Sequence, residues 1–436
     1  MSGLPQGWEW STVGEVASVE GGVTPKGMKE LASGDVPFFK VGDMHLSDRE
    51  QMHRSRTMLD RGALESARAK LWPRGTIVFP KNGGAVATNK KRRLGVAGAC
   101  DLNMMGVLPT SEIDGSYLMA WFLTVDLADL SSGSVVPKIN RADVAEMDVP
   151  VPPLPEQRRI VAAIEEHFSR LDAAEAALEA ALRRLAALRQ TTTTTLYSSD
   201  EWDWTTLGQI AEVRGGVTKD SKRQDDPDFV EVPFLRVANV QRGYLDLGEV
   251  KTIRVAPARA ETLALEVGDV LFNEGGDRDK LGRGWVWDGQ IDNCIHQNHV
   301  FRARLLTDDF DPKFISTHGN SWGKNWFERN GKQTTNLASI NLTTLKQFPV
   351  PAAPKAEQRA IVEELRRLDD DIGRGERAVN VGRRRGAALR CSILAAAFSG
   401  QLVPQDLTDE PASALLERIA AERATGKPTR RNRATT

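Results

Sequence analysis

Cysteine is scarce in this 436-residue chain. Cys100, Cys294 and Cys391 stand nearly a hundred or more residues apart, so neither a disulfide framework nor a four-cysteine zinc site can be built from them. Long hydrophobic runs are missing too. Apolar stretches such as Ile393–Phe398 are far short of a bilayer span. The N-terminal MSGLPQGWEW is polar and carries Trp and Pro, and it reads as neither signal nor transit peptide. An excess of either charge is absent: 58 Lys and Arg balance 59 Asp and Glu, for a net charge of −1. This excludes a histone-like basic protein and an acidic disordered one. The expectation is a cytoplasmic protein with reduced thiols and, at 40% hydrophobic residues, ordinary buried cores. Nucleotide motifs are lacking as well. No G-x-x-x-x-G-K-[ST] occurs, and no G-x-G-x-x-G follows a strand pattern.

What the chain does have is a duplication. Trp8-Glu9-Trp10 returns as Trp202-Asp203-Trp204, and Val13-Gly14-Glu15-Val16-Ala17 as Leu207-Gly208-Gln209-Ile210-Ala211. Gly21-Gly22-Val23-Thr24 returns as Gly215-Gly216-Val217-Thr218, and Val36-Pro37-Phe38 as Val232-Pro233-Phe234. Gly75–Phe79 matches Gly268–Phe272, and Val149-Pro150 with Glu156-Gln157-Arg158 matches Val350-Pro351 with Glu357-Gln358-Arg359. Six matches in one order mark a module present twice. The period of about two hundred residues is far too long for a solenoid. The two glycine pairs read as tight turns after a strand.

Each module has a mixed part and a helical part. Short β-rich runs at Gly75–Pro80, Val232–Val240 and Asp269–Phe272 alternate with Gly-rich turns. The Pro-rich run 149–155 then ends the pattern, and residues 156–190 read as one long helix. Ile164, Leu171, Leu178 and Leu185 recur every seven residues, with Ile160, Ala174, Ala181 and Leu188 beside them. Ile361, Leu365, Leu368, Ile372, Val379, Leu389 and Ile393 repeat the register, despite Gly373, Gly375, Gly382 and Gly386. Two similar seams predict antiparallel pairing, and the glycines suggest close backbone approach. The five β-branched residues Thr191–Thr195 are expected to end the first helix. A short helix is expected over Pro411–Arg423, followed by a basic, disordered tail over Gly426–Thr436. The fold class is therefore α+β. Two mixed domains (1–150 and 196–350) alternate with helical segments (151–195 and 351–400), ahead of a C-terminal segment (401–436).

No catalytic constellation stands out. Asp228, Glu249 and Lys251 have the order of a metal-dependent nuclease site, at loose spacing. Cys294, His296 and His299 could begin a zinc site but lack a fourth ligand, and the repeat aligns Cys294 with Cys100. Charge is more informative. Residues 49–93 hold twelve Lys and Arg against three Asp and Glu, a surplus that suits a phosphate backbone. In the second module, amides such as Asn273, Gln297 and Asn298 suit base edges.

These stretches resemble the specificity subunit of type I restriction-modification systems. The residues that carry the resemblance are 8–16 and their copy at Trp202, Val149–Val161 and the copy ending Glu357–Val362, and Ala396–Pro404 followed by Glu410–Arg418. The resemblance implies one half of an asymmetric, bipartite double-stranded DNA target for each recognition domain, with paired helices that set the spacing. Helix seams including Ile164, Leu171, Leu178, Leu185, Leu365, Ile372, Val379 and Ile393 would dock two modification subunits. Those partners would bring S-adenosylmethionine, and restriction subunits would bring ATP and Mg²⁺. This chain would bind no cofactor or metal and would not itself be an enzyme. Charge and resemblance together assign DNA contact to Thr24, Lys26, Lys40, Lys81, Asn82, Asn89, Lys90, Lys91, Arg92 and Arg93 in the first module. In the second they assign it to Lys219, Arg236, Asn239, Asn273, Arg278, Lys280, Arg283, Gln297 and Asn298. Residues 160–190 as a straight helix span about 46 Å, against ~34–36 Å for a DNA turn. The competing expectations are a stand-alone DNA-binding regulator, a nuclease and a helical scaffold.

Overall fold

The structure is a computed structural model that describes residues 3–24, 33–47, 50–66, 70–131, 136–276, 278–333 and 338–425. Five helices organise it: α1 (Gly115–Phe122), α2 (Leu154–Leu196), α3 (Pro312–Asn320), α4 (Lys355–Phe398) and α5 (Ala412–Thr425). Among the described residues no helix is long and apolar enough to cross a membrane. The chain divides into two compact units, Met1–Ala177 with Gly382–Thr436, and Leu178–Val381. Both long helices are shared between the two units.

In the first unit a five-stranded sheet runs in the order Ala17–Gly21, Met104–Pro109, Ile77–Pro80, Arg92–Leu94, Gln51–Met52. The run Ile77–Pro80 is apolar throughout because both faces are covered. Ile77 and Phe79 pack with Leu118 and Phe122 of α1, while Val78 packs with Phe39, Trp72 and Met104. A three-stranded sheet places Val36–Phe39 between Met58–Leu59 and Ala99–Cys100, the last in parallel. Helix α5 sinks Ala412, Leu415 and Ile419 into the first core. The second unit repeats this plan. Val270 and Phe272 face Phe314 of α3 and Phe348, and Leu271 faces Trp287 on the other side. Val230–Leu235 lies between Lys251–Val255 and, in parallel, Ile295–His296.

Antiparallel packing of α2 and α4 recurs within each unit. In the first, Ile160 and Ile164 cluster with Leu394 and Ala397, and Arg390 pairs with Asp172 while stacking on Phe168 at 4.9 Å. In the second, Arg189 meets Asp369 at 3.0 Å, and a Cβ on Gly375 would fall 2.8 Å from Leu185 Cδ1. Gly375 thus gives Leu185 room, and α4 runs unbroken through its glycines. Two seam expectations need correction. Leu188 and Leu389 occupy equivalent positions and are 51% and 52% exposed, because each helix covers only one stripe. Nor does the threonine run end α2, which continues to Leu196. Thr193 is buried, Thr194 Oγ1 donates back to Gln190 O at 2.9 Å, and Tyr197 docks against Phe314. Packing there outweighs the weak helix propensity of threonine. The same aromatic lock closes α4, where Phe398 meets Tyr117 at 5.4 Å. The expected helix at Pro411–Arg423 is present as Ala412–Thr425, held by Arg418 on Glu112 and by Arg423 on Ala17 O. Gly426–Thr436 lies outside the described residues.

Candidate nucleic-acid interface

Backbone hydrogen bonds fix which residues correspond between the modules. Val23 N donates to Cys100 O at 3.0 Å and Val217 N to His296 O at 2.9 Å. Cys100 therefore corresponds to His296, not to Cys294. The repeat offset has drifted by two residues at this point, because the intervening loops differ in length. Gly22 and Gly216 sit beside these bonds. A Cβ on either would lie 1.9 Å from a carbonyl oxygen, of Asp101 or His296. They are close-approach glycines rather than turn glycines, and neither has positive φ.

The strand ends correspond in the same way. Lys81 N donates to Asn103 O at 2.8 Å, and Ile139 N to Lys81 O at 2.9 Å. Glu274 N donates to His299 O at 2.9 Å, and Ile340 N to Glu274 O at 2.8 Å. One backbone frame therefore carries Lys81 and Asn103 in one copy and Glu274 and His299 in the other. Lys40 and Arg236 also correspond. Their N–H groups are capped by Asp43 and Asn239, each at 2.9 Å.

In the first module this frame gathers cations. Half-buried Lys81 is held below its ordinary pKa, first by burial and then by the neighbouring charges of Arg141 and Lys138, with Asp101 opposing. Burial raises the Asp101 carboxyl, while hydrogen bonds from Asn103 and the charges of Lys40 and Lys81 pull it down. Asn103 Nδ2 donates to Asp101 at 3.1 Å, and Asn82 Nδ2 reaches Asn103 Oδ1 at 3.4 Å. Thr24 Oγ1 accepts from Leu102 N at 3.1 Å. A cavity of about 260 Å³ adjoins the cluster, lined by Gly21, Gly22, Lys70, Trp72 and Arg141 among others. Converging cations of this kind are suited to an anionic oxygen.

In the second module the frame carries a different chemistry. His299 Nδ1 lies 2.5 Å from Glu274 Oε2, and Gln297 and Asn298 are half-exposed beside it. The family model for the type I restriction modification DNA specificity domain matches residues 5–184 and again 199–379. The chain belongs to this family. This specificity-domain chain is 25% identical over 465 residues to the type I restriction enzyme StySPI specificity subunit of Salmonella potsdam, with 99% of each chain covered. It is 24% identical over 455 residues to the EcoKI specificity subunit of Escherichia coli K12, covering 97% and 96%. Among solved structures, its fold is similar to a chain described in work on complex assembly and conformational transition of the type I R-M system. That match has TM-score 0.70 and 19% identity, over 92% of this chain and 100% of that one. The HsdS subunit from Thermoanaerobacter tengcongensis matches with TM-score 0.56 and 18% identity, over 91% and 98%.

Several residues assigned to DNA from the sequence are buried or bonded within the specificity-domain fold. Lys91 is buried, its pKa pushed down to about 8 by burial, and it donates to Asn89 Oδ1 and Val125 O. Asn89, at φ +51°, also accepts from Leu127 N at 2.9 Å. Arg92 is tied to Ser47 at 2.7 Å and Arg93 to Ser116 at 2.6 Å. Of the cluster Lys90–Arg93, only Lys90 is exposed. Asn239 is buried, donating to Asp246 O and Glu249 O. Asn273 is fully buried and donates to Val240 O at 2.7 Å, so its amide cannot reach a base edge. Arg278 donates to Glu328 O and Arg283 to Val237 O, each at 3.3 Å, and Lys280 is half-buried on the same loop. Lys219 is exposed. Lys26 lies outside the described residues.

The nuclease and zinc patterns are taken apart by the fold. Glu249 lies between the cations of Arg236 at 3.6 Å and Lys251 at 3.7 Å. Strand register puts Asp228 beyond Val230, which faces Val255, about 13 Å along the strand from Lys251. Cys294 is buried with its thiol pushed up to about 12, and His296 donates from Nδ1 to Val300 O. Among the described residues no three His, Cys, Asp or Glu converge as metal ligands. Lys138, Arg141, Asn103 and Glu274, which the fold brings to these strand ends, are not among the residues assigned from the sequence, and His299 is assigned there only to the zinc pattern. Their only signal was position, directly after the matched strands and glycine pairs.

Proposed function

We propose that this chain is the DNA-recognition subunit of a type I restriction-modification complex, reading an asymmetric bipartite target with one module per half. The observation that carries this reading is the shared frame at residues 81 and 274. Identical backbone bonding holds Lys81 with Asn103 in one module and Glu274 with His299 in the other. A protein that reads two different half-sites needs this combination of one scaffold and divergent tips. The long helices set the distance between the halves. They also dock two modification subunits, a role supported by Leu188 and Leu389, exposed at matching helical positions, and by Trp10 and Trp204, 54% and 44% exposed at matching strand positions. S-adenosylmethionine, ATP and Mg²⁺ belong to the modification and restriction partners, the chain itself is not catalytic, and the complex works in the cytoplasm.

Co-purification from the native host tests the assembly, and binding to random-sequence DNA tests recognition. The expected result is a stable complex with methyltransferase subunits and a two-part consensus. A single uninterrupted consensus, or specific binding by the isolated chain with no partner recovered, supports a stand-alone regulator instead.

A further inference from the structure

The Glu274–His299 pair is set up for a particular hydrogen-bonding task. A carboxylate only accepts, so the short contact at Nδ1 makes that nitrogen the donor. In the neutral ring Nε2 then carries a lone pair. Among the described residues its polar neighbour within reach is Asn298 Nδ2 at 3.4 Å, long for a hydrogen bond. The His299 side chain is 54% exposed and that of Glu274 28%, so the pair meets solvent at the strand end rather than stabilising a core. Glu274 also makes this spot unfavourable for a phosphate. The corresponding place in the first module is a half-buried cation, Lys81, beside an asparagine whose amide is bonded to Asp101 and Asn82.

We infer that His299, oriented by Glu274, is a specificity-determining residue of the second module, presenting Nε2 as an acceptor to the exocyclic amino group of an adenine or a cytosine. The inference rests on the DNA-reading function proposed above. It gives the asymmetry of the target a physical origin. The first module offers a donor at this position, suited to guanine O6 and N7 or to phosphate, and the second offers an acceptor, suited to adenine N6 or cytosine N4. Glu274 is a positioning residue in this scheme, since it acts by fixing the tautomer and the ring plane.

The test uses the full-length chain with its co-purifying subunits and selection of bound sequences from random DNA, comparing wild type with His299→Ala, His299→Asn and Glu274→Gln. Matched unfolding midpoints certify each variant as folded, and exposed His299 tolerates at least the asparagine. The expected result is a loss of about tenfold or more in preference at one base pair of one half-site, with the other half-site and the salt slope unchanged. The base lost, A or C, identifies the amino group. Glu274→Gln loosens preference at the same pair. Wild-type preference at every position in the His299 variants overturns the inference, and so does a uniform loss of affinity with the preference intact. A wild-type protein with no base preference at all refutes the DNA-reading function itself, which is a separate result.

Discussion

Gln157 Oε1 accepts the backbone N–H of Asp114 at 2.9 Å while its Nε2 donates to Pro152 O at 2.9 Å. Asp114 in turn caps α1, and Gln358 makes the same bond to Asp311, the cap of α3, at 2.8 Å. Both glutamines are fully buried. The Glu-Gln-Arg motif at the start of each long helix is therefore a clamp between that helix and its module. Gln157→Leu and Gln358→Leu each remove the partner of a half-buried N–H and of a buried carbonyl. Each should cost about 2–4 kcal/mol in denaturant unfolding, and the two losses should add because they lie in separate units.

The cation cluster around Lys81 predicts a split between binding and folding. Neutralising Lys81, Lys138 and Arg141 together should weaken binding to every DNA sequence. It should also reduce the slope of log affinity against log salt by up to about 3, near 0.9 per phosphate contact. Lys91→Met should leave that slope alone and change stability instead, since Lys91 is bonded inside the fold. Titration at several salt concentrations separates the two.

Two glycine substitutions should move stability in opposite directions. Gly216→Ala forces a methyl against His296 O and should destabilise the second unit by more than about 3 kcal/mol. Gly386 has open space at its Cβ position within α4, so Gly386→Ala should stabilise by about 0.5–1 kcal/mol. Calorimetric midpoints check both.

Buried histidines make the second unit acid-sensitive. Burial pushes His296 and His318 down to about 4, and each ring donates to a carbonyl, of Val300 or Pro349. A histidine depressed in the folded state is neutral there while the unfolded chain takes up its proton. Stability is therefore full above about pH 6.5 and falls as pH drops toward 4, by roughly 3 kcal/mol per histidine at the limit. His318→Phe should flatten part of the pH dependence of the unfolding free energy between pH 7 and 5.

The duplication, the long helices and the apolar strands were legible because periodicity and repeated words survive in one dimension. What the sequence hid depends on neighbours in space. Lys90, Lys91, Arg92 and Arg93 are contiguous in the chain, but Arg92 and Arg93 lie in a strand whose flanking elements take up their guanidinium groups. Asn273 looks like a base reader until the fold closes over it. Thr191–Thr195 reads as a helix end, because the burial of Thr193 and Tyr197 in the second unit leaves no local signal. Lys138 and Arg141 reach Lys81 only because Ile139 bonds to its carbonyl, nearly sixty residues away.

The central claim of the proposed function is that the lengths of α2 and α4 set the spacing of the two half-sites. Inserting one heptad into each helix lengthens the pair by about 10 Å, or about three base pairs at 3.4 Å each. Methylation-site sequencing in a host carrying this variant with its modification partner should return both half-sites unchanged and a spacer about three base pairs longer. Methylation at the original spacing, with the lengthened helices folded, would contradict the account.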